Sequence, residues 1–150
     1  MNEELEILIR YHDDYEGEPL QKIEKLTVGD WIDLRAAKDM DLYPNTFAMI
    51  PLGVSMKLPE GYEAHIVPRS STFKKWGIIQ TNHMGVIDNS YSGDNDIWQM
   101  PVWSIGKTKI CKNDRICQFK IVRRMPPVKF TEVDRLEGPD RGGFGSTGAQ

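Results

Sequence analysis

The residues with the clearest capacity for chemistry lie in the run GVIDNSYSGD, residues 85–94. Asp88 stands at the edge of the turn sequence Asp-Asn-Ser, after two apolar residues that would anchor a strand. A carboxylate in that place could orient and deprotonate a water molecule. Tyr91 could pack against a sugar ring, and Asn82 offers a donor and an acceptor to a base edge. Because Asp-Asn-Ser is also a common turn, these residues alone favour a plain turn over catalysis.

A second segment, VPRSS at residues 67–71, could bind an anion. Arg69 precedes two hydroxyl residues, Ser70 and Ser71, at the predicted start of a short helix. Free amides at a helix start favour phosphate, and an arginine adds a fork of hydrogen-bond donors. A capped helix with a solvated arginine is the simpler interpretation of the segment taken alone.

A third segment, NDRICQFKI at residues 113–121, predicts a strand. Its alternation would place Ile116, Gln118 and Lys120 on one face and Cys117 among the residues of the other. Gln118 could then present its amide to a ligand. A half-buried strand with an outward glutamine is the alternative.

The C-terminal segment is polar and glycine-rich from Leu136 onward. Its run DRGGFGSTG, residues 140–148, exposes amides and hydroxyls that could wrap a polyphosphate. Phe144 is the one large apolar side chain of that run and could stack on a flat ligand as a lid. A flexible linker is the alternative, since the segment has too little apolar surface to form a core.

Short strands separated by turns must position these residues. Alternation at residues 5–9 and the apolar segments 31–37, 47–51 and 59–68 predict strands. Strands are also predicted on both sides of Lys112-Asn113-Asp114, joined as a hairpin, and a short helix is predicted at 70–76. The expected fold is all-β, a jelly-roll-like distorted β-barrel with one short helix and a flexible glycine-rich C-terminal arm.

Composition limits the function classes. The 150 residues fit one domain, and 39% hydrophobic with 27% charged residues is an ordinary globular balance. A net charge of −3 argues against direct nucleic-acid binding, and no apolar run or signal peptide indicates a membrane, so a cytoplasmic location is expected. Cys111 and Cys117 are interpreted as reduced thiols, and no histidine lies at metal-ligand spacing to a cysteine.

Taken together and in order, five segments resemble the motifs of the trimeric dUTP pyrophosphatases, or dUTPases. They are WIDLRA at 31–36, PRSS at 68–71, GVIDNSYSG at 85–93, NDRICQ at 113–118 and RGGFGSTG at 141–148. The third and fifth are the most specific. The sequence is most similar to the forms of Gram-positive bacteria and their phages.

The resemblance implies hydrolysis of dUTP to dUMP and pyrophosphate, by in-line attack of water on the α-phosphorus, with Mg²⁺ on the triphosphate. Asp88 matches the residue that activates the water, Tyr91 the tyrosine on the deoxyribose, and Asp33 an aspartate that meets the metal through water. Phe144, or another aromatic such as Trp98, would be the uracil lid. The remaining matched substrate-binding positions are Arg69, Ser70, Ser71, Asn82, Gly85, Ile87, Gln118, Arg141, Gly145, Ser146 and Thr147.

The resemblance also implies a jelly-roll homotrimer with three shared active sites. Residues 1–135 would form the β-barrel domain and 136–150 a flexible arm that closes a neighbour's site. The related dCTP deaminases carry a glutamate base ten residues beyond the motif-three aspartate, where this chain has Trp98. A dUTPase-fold regulator that binds nucleotide and a partner repressor protein, if the chain is phage-encoded, is the other alternative.

Overall fold

The computed structural model describes residues 4–25 and 28–143, and these contain eleven strands and one short helix. The elements are β1 Leu8–Tyr11, β2 Ile32–Arg35, β3 Met40–Leu42, β4 Thr46–Pro51, β5 Val54–Lys57, β6 Tyr62–Pro68, α1 Thr72–Trp76, β7 Ile78–Gln80, β8 Gly85–Ile87, β9 Gln99–Ser104, β10 Thr108–Ile110 and β11 Arg115–Arg123.

The strands form four antiparallel groups. The largest is a four-stranded sheet in the order β2-β11-β6-β8, and a three-stranded sheet follows the order β4-β9-β7. Two pairs, β1-β5 and β3-β10, complete the set. This nearly all-strand architecture confirms the predicted fold class. Among the described residues, no helix is long and apolar enough to span a membrane.

One buried cluster joins the two larger sheets. Leu34 and Ile66 contribute from the four-stranded sheet, and Ile50 and Met100 from the three-stranded sheet. Trp98 is fully buried and lies edge-on against Phe119, with ring centroids 5.3 Å apart. A ring at that depth cannot stack on a ligand, so the interpretation of Trp98 as a possible lid is wrong.

The predicted hairpin around residues 112–114 is also wrong. β10 pairs with β3, whereas β11 pairs with β2 and β6, so the chain changes sheets at this turn. Asn113 adopts the left-handed region, with φ 76°. Its side chain accepts a hydrogen bond from Gln21 N at 2.8 Å and donates one to Pro19 O at 3.1 Å. The turn therefore serves as a corner that is fastened to the N-terminal segment.

The burial pattern of β11 departs from simple alternation at one residue, Ile116. The register of β11 against β2 shifts between Arg115 and Cys117, which marks a bulge. Ile116 is consequently buried together with Cys117 instead of sharing the face of Gln118. From Cys117 onward the expected alternation holds, with Gln118 half-buried on the outer face.

The two cysteines are free thiols, as expected. Cys111 is exposed, whereas burial raises the pKa of the Cys117 thiol well above its usual range. Cys117 therefore stays neutral and contributes to the core, not to nucleophilic chemistry.

The last described part of the chain leaves the sheets altogether. After β11 no helix or strand occurs up to residue 143. Residues 124–143 are exposed throughout, and several of them carry apolar side chains that contact little of this chain. These apolar residues are Met125, Val128, Phe130, Val133 and Leu136.

Candidate active site

Asp88 directly follows β8, at the edge of the four-stranded sheet, and is exposed. Its Oδ1 accepts a hydrogen bond from the Ser90 hydroxyl and another from Ser90 N at 2.8 Å. These two bonds hold the pKa of the Asp88 carboxyl below its ordinary value, since both stabilise the charged form. The group is therefore a carboxylate at neutral pH and is equipped to accept a hydrogen bond from a water molecule.

Asn89 fastens the Asp88 turn to the rest of the molecule. Its Nδ2 donates to Leu58 O at 2.8 Å and to Pro59 O at 3.0 Å, in the connection between β5 and β6. Within the turn, Tyr91 N donates to Asp88 O at 3.2 Å. Sequence reasoning missed this role of Asn89, because its partners lie about thirty residues away along the chain.

Tyr91 lies on the open side of the same loop. Its hydroxyl donates to Ile97 O at 3.1 Å, which fixes the ring while leaving it 39% exposed. Farther along, the carbonyl of Asp94 accepts hydrogen bonds from Arg10 at 3.2 Å and from Ser55 at 3.1 Å. The loop from Asp88 to Asp94 is thus held at both ends, with an accessible aromatic ring between them.

Asn82 lies in the short connection between β7 and β8. Its Oδ1 accepts a hydrogen bond from Gln80 Nε2 at 2.8 Å. Gly85 begins β8 opposite Ile66, and a Cβ at Gly85 would lie 3.3 Å from Ile66 Cβ and 3.6 Å from Asn82 Nδ2. A side chain at Gly85 would therefore crowd Ile66 and contact the Asn82 amide. At the other end of β8, Ile87 packs against the core.

A second polar cluster lies on the outer face of the same sheet, where β2, β11 and β6 run side by side. Asp33 lies opposite Gln118 in the ladder. Its Oδ1 is 3.1 Å from Arg69 Nε, and its Oδ2 is 3.9 Å from an Arg115 nitrogen. Gln118 Nε2 donates to Pro68 O at 3.2 Å. The cluster combines two guanidinium groups with an amide, which is a donor set suited to phosphate oxygens.

The serines beside Arg69 are not used to cap the helix. Ser71 is the N-cap residue of α1 but makes no side-chain capping bond, and Ser70 is exposed. Thr72 fastens the segment instead, because its Oγ1 accepts from Arg69 N at 2.9 Å and donates to Ile116 O at 3.1 Å. The Thr72 anchor was not predicted from the sequence. It leaves the hydroxyls of Ser70 and Ser71 available to a ligand.

The first cluster, formed by Asn82, Asp88 and Tyr91, and the second cluster do not meet within one chain. Ile87, next to Asp88, pairs with Ala64, whereas Arg69 lies five residues farther along the β6 direction. At about 3.3 Å per residue, Ile87 and Arg69 are separated by roughly 16 Å along the sheet, and Asp88 lies one residue farther away because β6 and β8 are antiparallel. One chain therefore presents a carboxylate at one end of the sheet and its phosphate-type donors at the other.

The arm residues complete the set of predicted positions. Arg141 is exposed, and the glycines that follow it have φ 87° and 86°. Phe144, Gly145, Ser146 and Thr147 lie outside the described residues. Within the described ranges, no three His, Cys, Asp or Glu side chains converge as a metal site.

Comparisons with known proteins give this geometry its context. A family model described as dUTPase matches residues 31–148. The chain is 56% identical to the SPbeta prophage-derived deoxyuridine 5'-triphosphate nucleotidohydrolase YosS of Bacillus subtilis (strain 168), over 97% of this chain and 100% of the relative. It is 40% identical to the deoxyuridine 5'-triphosphate nucleotidohydrolase of Finegoldia magna, over 87% of this chain and 92% of that protein.

Solved structures share the fold. A mutant dUTPase of Staphylococcus bacteriophage 80alpha with dUpNHpp has a TM-score of 0.76 at 20% identity, covering 95% of this chain and 98% of the other. The dUTPase of Streptococcus mutans has a TM-score of 0.71 at 20% identity, covering 81% and 99%. A mutant dUTPase of phage phi11 of S. aureus, described with a structural Mg(II) ion, has a TM-score of 0.72 at 19% identity, covering 89% and 99%. From the match over residues 31–148 and the relative at 56% identity, the chain belongs to the dUTPase family.

Proposed function

We propose that the protein is a dUTP diphosphatase, which hydrolyses dUTP to dUMP and pyrophosphate. The observation that carries the proposal is the ionised, exposed carboxylate of Asp88 at the end of β8, in a chain of the dUTPase family. The relatives at 56% and 40% identity are both named for this activity. The alternative of a regulator without turnover is not favoured, because the nucleotide hydrolase motifs are all present in order.

In the proposed reaction, Asp88 accepts a hydrogen bond from a water molecule and so directs its oxygen at the α-phosphorus. The new P–O bond forms as the bond to the oxygen that bridges the α- and β-phosphorus breaks, and pyrophosphate leaves with the electron pair of that bond. The proton of the water passes to Asp88. Because the Ser90 bonds favour the charged carboxylate, Asp88 readily returns this proton to solvent.

Substrate positioning is assigned to the residues of the two clusters. Asn82 would contact the uracil and Tyr91 the deoxyribose, with Gly85 and Ile87 shaping the wall of β8. The phosphates would be bound by the donors of the second cluster. Those donors are Arg69 and Gln118, together with the adjacent hydroxyls of Ser70 and Ser71. These assignments agree with the open ring of Tyr91 and the uncommitted serine hydroxyls.

A shared site in a homotrimer explains why the clusters lie apart. Asp88 of one subunit would face Arg69 of a neighbour, because neither can reach the other within its own chain. The exposed apolar residues between Met125 and Leu136 give independent support, since a group of exposed apolar side chains commonly marks a protein–protein interface. Residues 136–150 would then close a neighbour's site, with Arg141, Ser146 and Thr147 on the phosphates and Phe144 on the uracil.

Magnesium would be bound mainly by the triphosphate itself. Both carboxylate oxygens of Asp33 face arginines, so Asp33 fits a hydrogen bond to a metal-bound water and does not fit direct ligation. Mg²⁺ commonly keeps several waters and binds through substrate phosphates. When bound, it would neutralise phosphate oxygens and preset the triphosphate geometry. A partner repressor and a cytoplasmic location stay predictions.

The direct test is pyrophosphate release with Mg²⁺ and each deoxynucleoside triphosphate in turn. The proposal predicts release from dUTP alone, and loss of most turnover in Asp88→Asn while dUTP binding is retained. Calorimetry with a non-hydrolysable dUTP analogue would measure that binding. Release from no nucleotide would overturn the proposal and favour a nucleotide-binding regulator. Near-normal turnover in Asp88→Asn would show that Asp88 does not activate the water.

A further inference from the structure

Gln80 is a buried polar residue on β7 with an unusual set of hydrogen bonds. It is 2% exposed, and its Nε2 donates to Ile66 O at 2.9 Å and to Asn82 Oδ1 at 2.8 Å. Its Oε1 has no partner among the described residues. A buried amide oxygen without a partner is costly, so an apolar residue would serve the core better. Gln80 therefore has a role beyond packing, and its bond to Asn82 indicates what that role is.

The partners of Gln80 determine the orientation of two amides. The oxygen and nitrogen of a side-chain amide are normally assigned from the hydrogen-bond network. Here the network starts at a backbone carbonyl, Ile66 O, which only accepts, so the Gln80 amide must turn its Nε2 towards it. The same Nε2 faces Asn82, and Asn82 must therefore present Oδ1 to it. Asn82 Nδ2 is left as the outward group.

The outward group of Asn82 is thus a fixed hydrogen-bond donor. In the described part of the chain, no hydrogen bond involves Asn82 Nδ2, and Asn82 is exposed. Uracil carries a carbonyl acceptor at position 4, whereas cytosine carries an amino donor at the same position. A donor there matches uracil and opposes cytosine. An asparagine without Gln80 could rotate its amide and present the oxygen to cytosine instead.

We propose that Gln80 is a positioning residue that sets base selectivity, by holding Asn82 with Nδ2 directed at the position-4 oxygen of uracil. This inference rests on the proposed function, which places the base at Asn82. Gln80 does not itself touch the nucleotide. It acts by removing the amide orientation that would accept cytosine.

The test compares base preference in Gln80→Met, which keeps the length and unbranched shape of the side chain but removes the donor. Binding of dUMP and dCMP is measured by calorimetry, so that the readout does not depend on catalysis. The ratio of the two affinities is expected to fall about tenfold, which is the value of one ordinary hydrogen bond. Gln99→Met is the matched control, because Gln99 is an exposed residue on β9 outside both clusters. An unchanged ratio would overturn the proposal, including the case in which the affinities for dUMP and dCMP fall equally.

Two Asn82 variants separate positioning from a general structural effect. Asn82→Asp still accepts from Gln80 but turns a second acceptor outward, so preference should move towards dCMP. In an Asn82→Ala background, Gln80→Met should leave the base ratio unchanged, because there is no amide left to orient. If Gln80→Met still changes the ratio there, the proposed route through Asn82 is wrong. Wild-type protein that prefers dUMP but fails to hydrolyse dUTP would refute the proposed function without refuting this inference.

Discussion

At the residue scale, the state of Asp88 depends on a hydroxyl two positions along the chain. Ser90 donates to Asp88 Oδ1 through both its side chain and its backbone N–H. Both bonds favour the carboxylate and lower the pKa of Asp88. A carboxylate of this kind stays charged as the pH falls, so it can still accept a hydrogen bond from water in mildly acidic conditions.

Replacing Ser90 should therefore move the acid limb of the pH profile. In Ser90→Ala the side-chain bond is lost and the backbone bond remains, so the pKa of Asp88 rises towards its ordinary value of about 4. The acid limb of kcat/KM for dUTP should shift to higher pH, with little change near neutrality where Asp88 is charged in both proteins. Ser92→Ala is the matched control. An identical acid limb in Ser90→Ala and wild type would contradict the assigned role.

The residues proposed to contact the ligand lie in short runs of the sequence, whereas the bonds that hold them in position could not be predicted from it. Asp88 and Tyr91 lie in one short run with a recognisable order. Asn89, Thr72 and Gln80 act through bonds to carbonyls that lie far away in the chain or on another strand. Because no local sequence pattern contains those partners, these hydrogen bonds can be identified only in the folded structure.

At the element scale, the connection between β4 and β5 has the tightest glycine of the described chain. Gly53 has φ +68°, and a Cβ there would overlap the Leu20 side chain and lie 3.1 Å from Ala37 Cβ. His12 N also donates to Gly53 O at 2.9 Å. The N-terminal segment and the β4–β5 corner meet at this point, because only glycine allows so close an approach.

Gly53→Ala should destabilise the protein by about 2–5 kcal/mol, from left-handed backbone strain together with overpacking. Gly61→Ala is the control, since Gly61 has φ +86° but nothing within 4 Å of the added Cβ. That variant should lose only about 1–2 kcal/mol. Urea unfolding measures both free energies. If both variants lose the same free energy of unfolding, crowding of the added methyl group against Leu20 does not contribute to the loss.

Several of the strands could be predicted, but their partners could not. The predicted apolar segments 31–37, 47–51 and 59–68 correspond to β2, β4 and β6. The hairpin predicted after β10 failed because strand pairing depends on distant partners: β11 runs against β2 and β6 instead. The bulge that buries Ile116 is equally invisible in the sequence, since it follows from the register against β2.

At the scale of the whole molecule, the exposed apolar side chains between Met125 and Leu136 agree with the proposed packing against a neighbouring subunit. Phe130 is 94% exposed in the segment between Met125 and Leu136. If that segment packs on a neighbouring subunit, Phe130→Asp should dissociate the trimer, which sedimentation velocity would show. Val28→Asp changes an 85% exposed apolar residue outside the segment and should leave the assembly intact. An unchanged trimer in Phe130→Asp would mean that the segment lies outside the subunit interface.

The most direct test of a shared dUTP-hydrolysing site is complementation between two inactive variants. Asp88→Asn lacks the proposed water-activating carboxylate, and Arg69→Ala lacks a proposed phosphate-binding group. Each is expected to be nearly inactive alone. After the two are unfolded together at equal amounts and refolded into mixed trimers, about a quarter of the sites should combine an intact Asp88 with an intact neighbouring Arg69. Pyrophosphate release from dUTP should recover to about a quarter of the wild-type rate. No recovery in verified mixed trimers would contradict a site built from Asp88 of one subunit and Arg69 of another.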